Sequence, residues 1–190
     1  AWLLTYPDVY EVGLPNQGLQ ILYEILNESP IAEAERAYAP WVDLEEIMRR
    51  ERIPLFSVDT HRPANEFDVI AFNLSSELVY TNLINCLDLA GVPVMSSDRE
   101  NIHPVIGAGG HCVYNPEPLA DIVDFFALGD GEEVVSDITE VMHRFKSSEG
   151  ILHNRQELLF ELSKIEGVYV PSMYTASYEI NGAQTLKPIS

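Results

Sequence analysis

The amino-acid sequence predicts an α/β domain: a flavodoxin-like, doubly wound, five-stranded parallel sheet with helices on both faces, followed by a C-terminal extension. Three observations lead there. Short apolar runs alternate with longer segments of helical period, the pattern of βαβ units around a parallel sheet. The clearest short run, FDVIAFN at 67–73, is apolar on both faces, as a strand covered by helices on both sides must be. The chain has 190 residues, 46% hydrophobic and 22% charged, enough for one cored domain with an appendage at a soft prior of about 150 residues per domain.

The first strand, 2–6, ends at Pro7-Asp8, and 18–27 then carries Leu19, Leu22, Tyr23 and Leu26 at helical spacing. A short strand is expected near 36–39, closed by Pro40. Asp43 is expected to cap a helix running through Arg50, with Glu46 as its capping-box partner. Residues 55–58 read as extended, ending at Asp59-Thr60-His61. After the central run, Ser76 suits the N-cap of a helix over 77–90, which Gly91 stops. Its Val79, Leu83, Ile84 and Leu87 share an inner face. Residues 104–107 and 122–128 read as further strands. Gly129-Asp130-Gly131 opens a helix whose Val134, Ile138, Val141 and Phe145 recur at helical spacing. A helix over 155–164 follows, then 173–190 reads as two strands about a turn at Asn181-Gly182. The division expected is a domain over 1–150 and a bridging segment over 151–190.

Lys and Arg number 11 against 30 Asp and Glu, a formal net charge of −19. Such a surface repels phosphate backbones and anionic headgroups, so no nucleic acid and no membrane are expected as partners. Two cysteines, Cys86 and Cys112, exclude a disulfide scaffold and any site needing three thiolates. No apolar run approaches the roughly 20 residues of a membrane span, and no signal peptide opens the chain, so a cytoplasmic setting is expected. The opening at Ala1 and the abrupt end at Ser190 suggest a piece of a longer protein.

In open parallel sheets, ligands bind outside the strand carboxyl ends where strand order reverses. That singles out four loops: 7–18, 73–76, 107–114 and 129–132. Gly107-Ala108-Gly109-Gly110-His111 leaves a strand, and glycines there either make a tight exit at positive φ or admit a ligand close to the backbone. A bulky residue at Gly110 is expected to close such a groove without unfolding the domain. Asp130, Glu132 and Glu133 at a helix start argue against a bound anion; they suit helix capping or acceptance of hydrogen bonds from ligand amides or hydroxyls. No phosphate-loop or dinucleotide fingerprint is present. His111 and Cys112 are adjacent, so they point apart and chelate a metal poorly. Ser75 or Ser76 with His111 could be drawn as a triad, but a capping serine explains the position better. No metal site and no catalytic residue are assigned.

Residues 68–75 (DVIAFNLS), a helix, then Gly109-Gly110-His111, then 123–132 (VDFFALGDGE) together resemble the cobalamin-binding-type domain that precedes the barrel of many radical SAM enzymes. In that family a strand enters G-G-x-H or G-G-H, and V-D-x-x-x-x-G-E-G-E opens the next helix; Asp130 replaces the first glutamate here and Glu132 keeps the second. Residues 6–14, Gly18-Leu19-Gln20 and 72–82 are similar to one subgroup of uncharacterised radical SAM proteins. The resemblance spans about residues 2–150 through its combined spacing. It implies that Asp8, Asn73, Leu74, Ser75, Ser76, Gly109, Gly110, His111, Gly129, Asp130, Gly131 and Glu132 line a cofactor groove. Methionine-synthase-like relatives carry D-x-H-x-x-G after the first strand, whose histidine ligates cobalt. Residues 7–18 hold Asp8 but no histidine, so cobalamin here would lack a histidine lower ligand. The four-iron four-sulfur cluster motif C-x-x-x-C-x-x-C is absent, so the resemblance assigns the cluster and S-adenosylmethionine to a barrel beyond Ser190, with 168–174 as the bridge.

The resulting expectation is an accessory domain, without turnover of its own, holding cobalamin or substrate over its barrel in cis. The alternative is a degenerate module that kept the fold for docking and lost the cofactor. An independent FMN protein is disfavoured, because 7–18 has no serine or threonine to hold a phosphate.

Overall fold

The computed structural model describes residues 1–146, 154–178 and 184–189. In chain order it contains β1 (Trp2–Tyr6), α1 (Tyr10–Gly13), α2 (Gln17–Glu28), β2 (Ala34–Tyr38), α3 (Val42–Glu51), β3 (Val69–Asn73), α4 (Tyr80–Ala90), β4 (Val105–Gly109), β5 (Phe125–Ala127), α5 (Gly131–Phe145), α6 (Arg155–Leu162) and β6 (Val168–Tyr169). A separate hairpin follows, β7 (Tyr174–Tyr178) with β8 (Gln184–Pro188). The turn expected at Asn181-Gly182 lies outside the described residues.

The main sheet has the order β2-β1-β3-β4-β5-β6. Its first five strands are parallel and carry the flavodoxin order, so they end along one edge. The sheet has six strands rather than the five expected. β6 runs antiparallel beside β5, two residues long and too short to register as a period in the sequence. It is held by the stacked rings of Phe126 and Tyr169, 6.1 Å apart, and by Tyr169 Oη donating to Glu117.

One face of the sheet, with Trp2, Leu4, Val69, Val105 and Phe125, is covered by α2, α5 and α6. The other, with Leu3, Ile70, Phe72, Ile106 and Phe126, is covered by α3 and α4. Helix α6 is bound to the body by a buried ionic cluster. Asp124 accepts from Arg99 at 3.0 Å, from Arg155 at 2.6 Å and from the Ile106 amide at 2.7 Å. Arg155 also donates to the carbonyls of His103 and Pro104, so the first residue of α6 ties residues beyond 150 into the main sheet.

Two local expectations shift. The run 122–128 yields only a three-residue β5, because Ile122 and Val123 close a turn on the Leu119 carbonyl and Asp124 is spent on the ionic cluster. Asp43 does not cap α3: Trp41 is the N-cap residue, and the Asp43 carboxylate accepts instead from the adjacent Leu44 amide. The extended stretch near 55–58 is no sheet strand but covers the sheet edge. The Val58 amide donates to the Arg36 carbonyl, and Asp59 accepts from the Arg36 amide and guanidinium. Asn27 does the same for both backbone groups of Ala34, leaving β2 closed to further pairing. No described helix is long and apolar enough to cross a membrane.

Candidate functional site: a cleft at the strand carboxyl ends

The chain leaves β1 for β2 on one side and returns to β3 on the other, so the strand order reverses between β1 and β3. A cavity of about 410 Å³ opens there and descends between the sheet and helices α2 and α5. The residue sizes along the strands make it. At the strand starts this face carries Trp2, Val69 and Val105, which fill the layer. One step on, the paired positions are Leu4, Ala71 and Gly107, and beyond them lie Asn73 and Gly109, with Ala127 on the neighbouring strand. Small residues in these outer rows leave the space that large ones fill below.

The walls are Leu19 and Leu22 of α2 and Val134, Val135 and Ile138 of α5. Gly131 allows the start of α5 to approach Leu22, which a Cβ there would meet at 3.2 Å. Gly107 serves packing instead: a Cβ would strike the Phe125 ring at 2.3 Å, and that ring forms part of the cavity floor. A Cβ at Gly109 would have nothing nearer than 3.9 Å, so this is where the backbone itself borders open space.

Polar groups gather at the mouth. Asn73 Nδ2 donates to Asn16 Oδ1 at 3.3 Å, and that same oxygen caps α2 by accepting from the Leu19 amide. Ser75 Oγ shares a hydrogen bond of 2.7 Å with Tyr6 Oη. His111, Asp130 and Glu132 complete the rim. Asp130 is the N-cap residue of α5 but its side chain makes no capping bond, and Glu132 is exposed beside it. Among the described residues no Lys or Arg lines the cavity.

Nine of the twelve residues expected in the groove line this one cavity: Asn73, Ser75, Gly109, Gly110, His111, Gly129, Asp130, Gly131 and Glu132. Three do not. Asp8 accepts from the Val9 amide and offers its carbonyl to Ala39, shaping the β1 exit. Leu74 is buried in the opposite core layer, and its backbone is wrapped by the glycine turn, donating to Gly109 and accepting from Cys112. Ser76 accepts from the Leu78 amide as a cap. Gly110 is also not the clean groove probe expected. Its φ is +102°, and a Cβ would lie 2.8 Å from the Leu74 carbonyl oxygen, so a larger residue strains the backbone directly.

The sequence reading missed Asn16, Gly18 and the apolar floor and walls. Asn16 could have been found as the N-cap before Gly18, but nothing local marks which apolar residues face a void. His111 borders the cavity while Cys112 packs toward the other core layer near Tyr80 and Glu77, so the two diverge. Desolvation, and then Glu77, push the Cys112 thiol above its usual range; burial pushes Cys86 up to about 12. Among the described residues no three His, Cys, Asp or Glu side chains are grouped to hold a metal.

A family model described as "Radical SAM proteins, N-terminal" matches residues 18–171 of the chain. No curated protein matches it. Among solved structures it is similar to the radical S-adenosylmethionine methyltransferase TsrM from Kitasatospora setae, a structure with tryptophan substrate and the SAM analogue aza-SAM bound. The identity is 11% and the TM-score 0.49, over 82% of this chain and 28% of that one.

Proposed function

The chain belongs to the family of N-terminal domains of radical SAM proteins, and from that premise we propose that it is an accessory domain presenting cobalamin, or the substrate, from its carboxyl-edge cleft to the catalytic domain of the same protein. One observation carries the reading: loops from four separate strands converge on a single deep cavity at the strand-order reversal.

The residues suit cobalamin bound without a histidine beneath the cobalt. The cavity borders bare backbone at Gly109, its floor and walls are apolar, and residues 7–18 offer no imidazole. Asn73, Ser75 and His111 would hold the polar periphery, and the carboxylates of Asp130 and Glu132 would accept from amide donors. The absence of cations from the lining argues against FMN or a nucleotide diphosphate, whose phosphates would face Asp130 and Glu132 with no countercharge. When bound, cobalamin supplies a cobalt centre that can carry and pass on a methyl group. The chain's own part is to bind, to orient and to keep water out of the cleft.

A four-iron four-sulfur cluster needs at least three thiolates, and the sequence has two cysteines, one buried mid-helix. The cluster and S-adenosylmethionine therefore belong, in this reading, to the catalytic domain, and the setting is cytoplasmic. Hydroxocobalamin titration of the full-length protein, followed by its visible spectrum, tests the proposal. Saturable binding is expected, with a spectrum lacking a nitrogenous lower ligand and lost in Gly109→Leu. No binding by the folded protein overturns the cobalamin reading in favour of a module without cofactor.

A further inference from the structure

Helix α3 carries an apolar row with no neighbour against it. Of its ten residues only Met48 is buried. Its second attachment to the body is polar: Arg49 donates to Glu45 on the same helix and to Asn85 and Asp88 on α4, and Asn85 donates back to Glu45. Trp41, Leu44 and Ile47 follow one another at three-residue steps along one side of the helix. They are 64%, 42% and 42% exposed, and Ile53, just past the helix end, is exposed as well. Single exposed apolar residues are ordinary, but a row at helical spacing, on a helix that buries so little of itself, is an interaction surface.

Charge selects what fits that row. Asp43 in the first turn and Arg50 in the last are both exposed. They are seven residues apart, close to two helical turns, so they share the strip beside Leu44 and Ile47. A partner surface of a single sign would attract one of them and repel the other. A second α3 laid antiparallel satisfies both: about a two-fold axis at Ile47, Asp43 of each copy faces Arg50 of the other. The helix dipoles then also run in opposite directions.

We infer that α3 pairs with the α3 of a second copy of this chain, antiparallel about a two-fold axis at Ile47, giving a weak homodimer. The surface is self-complementary, so the partner surface is the one described above. The cleft lies across the sheet, beneath α2 and α5, so the contact leaves both clefts uncovered and is independent of what they bind. The net charge of −19 opposes association and keeps it weak, with a dissociation constant on the order of 10 µM. At 0.15 M salt a Debye length of about 8 Å screens the distant charges more than those in contact at the axis.

Sedimentation velocity of the full-length protein over a concentration series at that salt tests the inference. The parent should dimerise, and Ile47→Asp should weaken the dimer at least about tenfold, since it sets two carboxylates against each other at the axis. Ile102→Asp, at a residue 68% exposed in the connection entering β4, should leave it unchanged. Asp43→Arg alone and Arg50→Asp alone each place like charges together twice and should each weaken it about fivefold. Both sites are exposed, so the fold is kept. Mixed in equal amounts, these two variants should pair with each other at least as tightly as the parent pairs with itself, because every contact is then opposite in sign. A parent that stays monomeric at about 100 µM overturns the inference. So does an Ile47→Asp dimer as tight as the parent's, or a mixture no tighter than either variant alone.

Discussion

The two edges of the sheet handle polarity in opposite ways. Where the strands begin, charge is matched: the buried Asp124 accepts from two guanidiniums and a backbone amide, and the exposed Lys146 reaches Asp68 at 2.7 Å. Where they end, Asp130 makes no capping bond, His111 and Glu132 are exposed at the cavity rim, and glycine backbone stands open. The first arrangement fixes α6 and the strand register. The second leaves donors and acceptors facing outward, which contributes little to stability and is what a site for another molecule requires.

The largest effect that would break this comparison lies at the paired edge. Asp124→Ala strands two buried guanidiniums, and urea denaturation should report a loss of about 3–5 kcal/mol. A loss under about 1 kcal/mol would mean the cluster does not hold the edge together. Next comes Gly107→Ala, between the edges. Its added methyl meets the buried Phe125 ring, so a cost of about 1–3 kcal/mol is expected from thermal unfolding.

Gly109→Leu should separate function from stability. Unfolding should shift by under about 1 kcal/mol, because the side chain enters the cavity, while the cobalamin binding proposed for the cleft falls below detection. Asp130→Asn should move the unfolding midpoint least, by no more than about 0.5 kcal/mol, since the carboxylate contributes only to the dipole of α5. The cysteines sharpen the contrast by pH. The Cys86 thiol is held protonated up to about 12, against 9.0 for an ordinary thiol. Folding thus retains a proton that the unfolded chain releases, and stability should be complete below pH 9 and decline from there toward pH 12. Cys86→Ala should show a shallower decline in the same window, and an equal slope would refute the assignment.

Much of this was legible in the sequence because it depends on short-range periodicity and punctuation. The alternating βα segments, the stop at Gly91 with φ +67° and the glycine turn after β4 all express local backbone preferences, whereas Ser76 caps only a single 3-10 turn over Glu77–Val79 and α4 starts at Tyr80. These fixed which loops share an edge, and nine of the twelve expected residues meet there.

What only the tertiary structure decided is what each side chain faces. Asp8 and Ser76 satisfy neighbouring backbone amides, Leu74 turns into the opposite core layer, and Asp124 collects two arginines from 25 and 31 residues away. Sequence spacing cannot distinguish a carboxylate that will be buried and paired from one left at a rim, because pairing depends on which distant donors the fold brings within hydrogen-bonding reach. The cavity is likewise a difference between volumes on separate elements: Ala71, Gly109 and Ala127 on three strands, set against Leu22 and Ile138 on two helices. Each residue alone is an ordinary small or apolar position, and only their assembly leaves a space between them.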